Sequence, residues 1–170
     1  MNSNKLTHEA GHIVFVHPSL MGGGAERVSL ALASYFVAHG IRFTYLLTKS
    51  NVVEYDVPEG VEVRSEFASA TLKPFDQIKL IRRFISEWPN ATVISFLPHQ
   101  NMYTLIATIG LPNRVIVSVR NDPRYDFPGN KIFPFIRNML YRRSDAIVFQ
   151  TKSQASLMPR YLQANSKIIL

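Results

Sequence analysis

The form of the apolar runs constrains this chain most. Ile13–Val16, Phe43–Leu47, Ala91–Phe96, Val115–Val119 and Ala146–Phe149 are short and nearly continuous, with no polar alternation. Strands of this kind are buried on both faces, as in a parallel sheet covered by helices. Val52–Val57 and Val61–Val63 are weaker extended pieces around Pro58-Glu59-Gly60, and Lys167–Leu170 begins another apolar run. The stretches between the runs carry helical spacing. Ala25, Val28, Leu32, Tyr35 and Phe36 share one helix face, closed by Gly40 as a C-terminal cap. Ile78, Ile81, Phe84, Ile85 and Trp88 form a second stripe between Pro74 and Pro89, with Lys79, Arg82, Arg83 and Glu87 opposite. Met102–Ile109 is apolar almost all round and predicts a buried helix. Ile132, Phe135, Ile136, Met139 and Leu140 predict a further stripe, and the last helix is predicted over Gln154–Tyr161 with Ser153 as its N-cap.

Strands alternating with helices predict a doubly wound, Rossmann-like α/β domain with a mainly parallel sheet and three α/β/α layers. The 170 residues suit a single domain over 1–170, its ordered core starting near residue 10. A content of 46% hydrophobic and 11% aromatic residues excludes a disordered tail. The chain has no cysteine, which excludes disulfides, thiolate catalysis and zinc–thiolate sites. No apolar stretch approaches the roughly 18 residues of a membrane span. The opening MNSNKLTHEA lacks an apolar signal core, so a cytoplasmic location is expected. Because Lys167–Leu170 stops inside an apolar run, a longer parent polypeptide is expected.

Ligands of open α/β sheets bind outside the carboxyl ends of the strands. Three segments qualify. In Pro18–Arg27, Gly22, Gly23 and Gly24 precede a helix, where bare amides and the helix dipole favour a phosphate. The alternative is a flexible turn without ligand. The segment is neither GxGxxG nor a Walker loop, since no Lys-Ser/Thr follows. His17 lies next to it. In Leu97–Asn101, His99 is placed to donate to a sugar hydroxyl or a base, or is simply a loop residue. In Ser118–Arg124, Arg120 and Arg124 offer planar forks for phosphate or carboxylate. The alternative is a salt-bridged turn with Asp122 holding its own backbone. No HExxH, CxxC or Ser-His-Asp order is present, so no metal and no nucleophile are expected.

The net charge of +7 suits phosphates or an anionic surface. It gathers on Lys79, Arg82 and Arg83 and on Arg114, Arg120, Arg124, Lys131, Arg137, Arg142 and Arg143. Basic helix faces of this kind rest on anionic lipid or are merely solvated. No nucleic-acid-binding module is recognisable, so no nucleic acid is expected as partner.

Taken in order, PSLMGGGAERVSLALASYFVAHG, VISFLPHQN, VSVRNDPR and YRRSDAIVFQTKSQA resemble the amino-terminal domain of the GT-B retaining glycosyltransferases of family four, the glycosyl transferase group 1 type. The likeness runs from about Ile13 to Leu170. It implies an acceptor-binding half that faces a second, carboxyl-terminal GT-B domain across a cleft. The implied reaction transfers a hexose-type sugar from a nucleotide sugar to a glycan or lipid-linked acceptor, in surface polysaccharide or lipopolysaccharide assembly. It implies that Gly22, Gly23 and Gly24 approach the donor diphosphate. His99, the implied catalytic residue, and Asn101 lie toward the transferred sugar and acceptor. Arg120, Asn121, Asp122 and Arg124 line the acceptor side. Relatives with Arg-Asn-Asp-Pro frequently carry an acidic residue before the Arg, where this chain has Val119. The paired glutamates and most nucleotide contacts belong to the other domain, so this segment alone is expected to be inactive. No cofactor or metal is implied beyond the nucleotide-sugar substrate, and contact with the inner face of an anionic membrane is a further expectation. The alternative is a stand-alone Rossmann-like module that binds a phosphorylated ligand without catalysis.

Overall fold

A computed structural model describes residues 11–130, 132–164 and 166–168. Residues 1–10, with the expected absence of a signal core and with His8, lie outside these. So do Lys131 of the basic cluster and the last two residues of the Lys167–Leu170 run.

The chain alternates as expected. β1 (His12–His17) leads to α1 (Gly24–Ala38), β2 (Arg42–Leu47) and β3 (Val61–Arg64). Then come α2 (Pro74–Ser86), β4 (Thr92–Phe96), α3 (Pro98–Ala107) and β5 (Arg114–Val119). α4 (Ile132–Tyr141), β6 (Ala146–Phe149), α5 (Lys152–Ser156), α6 (Arg160–Gln163) and β7 (Ser166–Ile168) complete it. The seven strands form one parallel sheet in the order β3-β2-β1-β4-β5-β6-β7. The order reverses between β1 and β4: β1 to β3 step one way and β4 to β7 the other. That reversal opens a crevice outside the carboxyl ends of β1 and β4.

The apolar runs are two-sided, as read. Val14, Val16, Val93, Val115, Val117, Ile147 and Phe149 face one way. Ile13, Phe15, Phe43, Tyr45, Ile94 and Phe96 face the other. The first face is covered by side chains of α2, α3, α4, α5 and α6. Among the described residues, the second is covered by one helix, α1, with loop residues such as Leu20, Val57 and Ala68. Beyond β4 that face forms a groove of about 490 Å³ between Val28, Leu32 and Phe36 of α1 and Ile94, Ile116 and Val148 of the sheet.

α2 buries Ile81, Phe84 and Ile85, each worth roughly 1.5–3 kcal/mol when fully removed from water. Its Arg82 donates to the carbonyls of Ala107 and Ile109 at the end of α3, at 2.8 and 2.7 Å. That cation meets the negative end of the helix dipole. Gly40 closes α1 at φ +73°, a left-handed position natural for glycine.

Several expectations are corrected. α1 buries Ser29 and Ala33, while Val28 and Tyr35 of the expected stripe are exposed. The stripe of α4 faces solvent: Ile132, Phe135 and Met139 are 68%, 65% and 56% exposed. Its buried residues are Arg137 and Tyr141. Arg137 is therefore no surface cation; it pairs with buried Asp126 at 2.7 Å and donates to the Pro123 carbonyl at 3.0 Å. Val52–Val57 makes no strand, only a single parallel bridge from Val53 to Leu20. The last helix is broken by Pro159 into α5 and α6, and Thr151 rather than Ser153 caps α5, accepting from the Gln154 amide at 3.0 Å.

Candidate functional site

The strand ends around the reversal carry the candidate site. β1 ends in His17, whose imidazole is fully buried. With Nδ1 protonated, it donates to the Ser19 carbonyl at 2.6 Å and steers the chain into the glycine segment. Burial lowers its pKa, against the raising effect of that carbonyl, so the ring is neutral.

Gly22 and Gly24 are exposed and Gly23 is half-buried at the head of α1. Their conformation is not what calls for glycine. Gly23, the N-cap, has φ −171°, and none of the three lies in the left-handed region. What they leave is room: a Cβ on Gly24 would meet nothing within 4 Å. Two carboxylates stand close by. Glu26 presses on the position of a Gly23 Cβ, and a Cβ on Gly22 would lie 3.3 Å from Glu54. The Gly23 amide donates to the Tyr55 hydroxyl at 2.9 Å, so one of the three expected phosphate donors is already engaged. An anion at this head must displace the Glu26 carboxylate, which itself sits favourably at the helix start.

The second segment differs from its reading. Pro98 takes the first helical position, where its missing N–H costs nothing. His99, Gln100 and Asn101 are therefore the first turn of α3, and only Leu97 remains outside. Leu97 is the N-cap at φ +72°, strained for a leucine, and supplies no side-chain cap. The amides of His99 and Gln100 have no partner among the described residues.

Asn101 is fully buried. Its carboxamide oxygen accepts from Ser95 Oγ at 2.8 Å. Its nitrogen donates to the Ser118 carbonyl and to the Tyr141 hydroxyl, both at 2.9 Å. Its donors and acceptor bolt α3 to β4, β5 and α4, and no face is left for a ligand. The expected acceptor contact of Asn101 is thus corrected to a structural one.

His99 lines a crevice of about 300 Å³ with Pro18, Lys49, Leu97, Gln100 and Tyr103. Its ring stands edge-on to Phe127, with centroids 4.9 Å apart. Burial and then the Lys49 ammonium lower its pKa, while Asp126 pulls the other way. The ring is neutral at pH 7 and able to donate through one nitrogen and accept through the other. Lys49, Gln100, Tyr103 and Asp126 escaped the sequence reading. Lys49 lies two residues past the second apolar run, so the strand-end rule could have found it. Asp126 had no signal, because only the fold of residues 121–130 brings it toward His99.

The third segment is divided. Arg120 stacks over Phe96, 4.9 Å from its centroid, at the mouth of the groove beside α1, and burial lowers its pKa. Asn121 offers its carbonyl to Gln154 Nε2 at 2.7 Å. Asp122 accepts from the Arg124 amide at 2.9 Å and pairs with its guanidinium at 2.6 Å. Asp122 and Arg124 thus form the salt-bridged turn, the alternative held open for this segment. They border an open pocket of about 250 Å³ with Arg120 and Gln150.

The three segments share the carboxyl edge of the sheet but not one cavity. His99 lines one depression together with Pro18, and Asn121, Asp122 and Arg124 line another; Arg120 borders that second one and the groove beside α1, while Gly22, Gly23 and Gly24 line none of the three. Among the described residues no group of three or more His, Asp and Glu side chains could hold a metal ion. No helix among them is long and apolar enough to cross a membrane. The chain matches no model of a known protein family, and no curated protein matches it.

Proposed function

We propose that this chain is the acceptor-binding half of a nucleotide-sugar-dependent retaining glycosyltransferase. In this reading it serves a hexose-type transfer to a glycan or lipid-linked acceptor, on the cytoplasmic side of a membrane. The observation that carries the reading is the exposed backbone of Gly22 and Gly24 at the head of α1, open at Gly24, on the carboxyl edge of the sheet next to the reversal of strand order. In this reading the amides there help to stabilise the charge of a leaving diphosphate. The ordered resemblance of four segments gives that geometry its chemistry. His99 lines the neighbouring crevice at the head of α3, as a neutral imidazole able to hydrogen-bond a sugar hydroxyl. Arg120 borders the acceptor side. A partner domain closing over this edge would exclude water during transfer and open for release.

The membrane contact belongs to α4 in this reading. Its exposed Ile132, Phe135 and Met139 lie on a helix followed by exposed Arg142 and Arg143, the pairing of apolar and cationic groups that suits an anionic interface.

Amide NMR of the chain during titration with a nucleoside diphosphate tests the reading. Weak, millimolar-range shifts centred on Gly22–Glu26 are expected, with no turnover of nucleotide sugars by the chain alone. Turnover by these 170 residues, or diphosphate shifts that spare the glycines, would overturn it.

A further inference from the structure

We propose that the crevice at the head of α3 is a phosphoryl-binding subsite, built by Lys49, His99, Gln100 and Tyr103. Its occupant is the phosphoryl group of a phosphate ester. Assigning that ester to the acceptor rests on the transferase reading above; the site itself does not.

Four observations converge. The crevice opens at the carboxyl ends of β1, β2 and β4, where the strand order reverses and ligands of such sheets gather. Among the described residues no acidic side chain lines it. Lys49 is exposed and pairs with no described carboxylate, and the other polar side chains of the lining all carry donors. The head of α3 presents the amides of His99 and Gln100 with no cap over them, because its N-cap is a leucine. Gln100 is only 3% exposed, and its Nε2 has no hydrogen-bond partner. Its Oε1 accepts a long bond from Thr48 Oγ1 at 3.4 Å, which leaves the amide hydrogens unspent. A buried donor without a partner is costly, and Gln100 lies in the wall of the crevice an anion would occupy.

The nature of the donors selects the ligand. A cation, an imidazole, an amide, a phenol and two backbone N–H groups surround one small space. A tetrahedral oxyanion accepts from several directions at once, which a planar carboxylate does less well. The space of about 300 Å³ holds a phosphoryl group and the sugar or alkyl carbon that bears it.

The test is a titration of the full chain with inorganic phosphate, with dimethyl phosphate and with acetate, read by the amide signals of His99 and Gln100 and the ring signals of His99. Saturable shifts with both phosphates are expected, with acetate binding several-fold weaker. Lys49→Gln should weaken phosphate binding about tenfold, the loss expected of one charge-assisted contact. Lys79→Gln, which removes the same charge from α2, should leave it unchanged. Tyr103→Phe should weaken it by a smaller factor. Equal binding of acetate, equal loss in Lys79→Gln, or shifts that spare His99 and Gln100 would overturn the proposal. A phosphate site that passes these tests in a chain whose glycines ignore nucleoside diphosphate would leave the subsite standing and remove the transferase reading.

Discussion

The heads of α1 and α3 stand on adjacent strand ends and look alike in outline, yet they are opposite in charge. The α1 head has three glycines, open backbone and an obvious anion-binding sequence, but Glu26 and Glu54 crowd it and Tyr55 engages the Gly23 amide. The α3 head has no glycine and reads as a loop in the sequence, but it gathers Lys49, His99, Gln100 and Tyr103 with no carboxylate in the described lining, Asp126 acting on His99 from outside it. Room to approach and readiness to bind are separate properties. Glycines supply the first; the side chains that fold in around a helix start decide the second.

The largest expected effect concerns what fixes the α3 head. Asn101→Ala removes three buried hydrogen bonds and strands the Tyr141 hydroxyl, so it should cost about 2–4 kcal/mol of stability in denaturant unfolding. A variant of unchanged stability but impaired ligand binding would return Asn101 to the acceptor site. Next, Lys49→Glu places a carboxylate at the α3 head and should abolish measurable phosphate binding there, turning it into a head like that of α1. Acid should separate the two heads further. His99 is held below its ordinary 6.5 by burial and by Lys49, and a bound anion favours the protonated ring. Affinity for singly charged dimethyl phosphate at the α3 head should therefore rise as pH falls below about 6.5.

Stability should move the other way. His12, His17 and His99 are all lowered, chiefly by burial, so the unfolded chain holds more protons just below pH 6.5. The unfolding midpoint should drop as pH falls through that window.

Smaller effects sharpen the α1 side. Glu26→Gln should strengthen nucleoside diphosphate binding a few-fold, by roughly 0.3–1 kcal/mol, since it removes the competing charge at the helix start. Gly24→Ala adds a methyl group into open space, so stability should hold or rise by about 0.4–1 kcal/mol. Its diphosphate binding should fall if the ligand approaches the backbone there, as calorimetry on the same protein would show.

Most of the fold was legible because burial on two faces writes itself as continuous apolar runs, and because Pro74 and Pro89 bracket α2. The errors have physical causes. Periodicity shows that α4 has an apolar face but not which way it turns; here Tyr141 and the Arg137–Asp126 pair hold the other face inward. Pro98 looked like loop punctuation and is the first residue of a helix. Among the described residues five helices cover one side of the sheet and α1 the other; that helices lie on both sides follows from the reversal between β1 and β4, which no single segment encodes. Of the candidate site, the position of the glycines and His99 after a strand was legible, and Lys49, just past β2, could have been read the same way. Asp126 comes toward His99 only through tertiary structure, and the same structure buries Asn101.

An anomalous difference map from crystals of the chain soaked in tungstate, a heavy tetrahedral oxyanion, tests the comparison of the two heads most directly. The account predicts a peak within hydrogen-bond reach of Lys49 and the His99 and Gln100 amides, with a weaker peak or none at Gly22–Gly24. A peak at the glycines with the α3 crevice empty would contradict it.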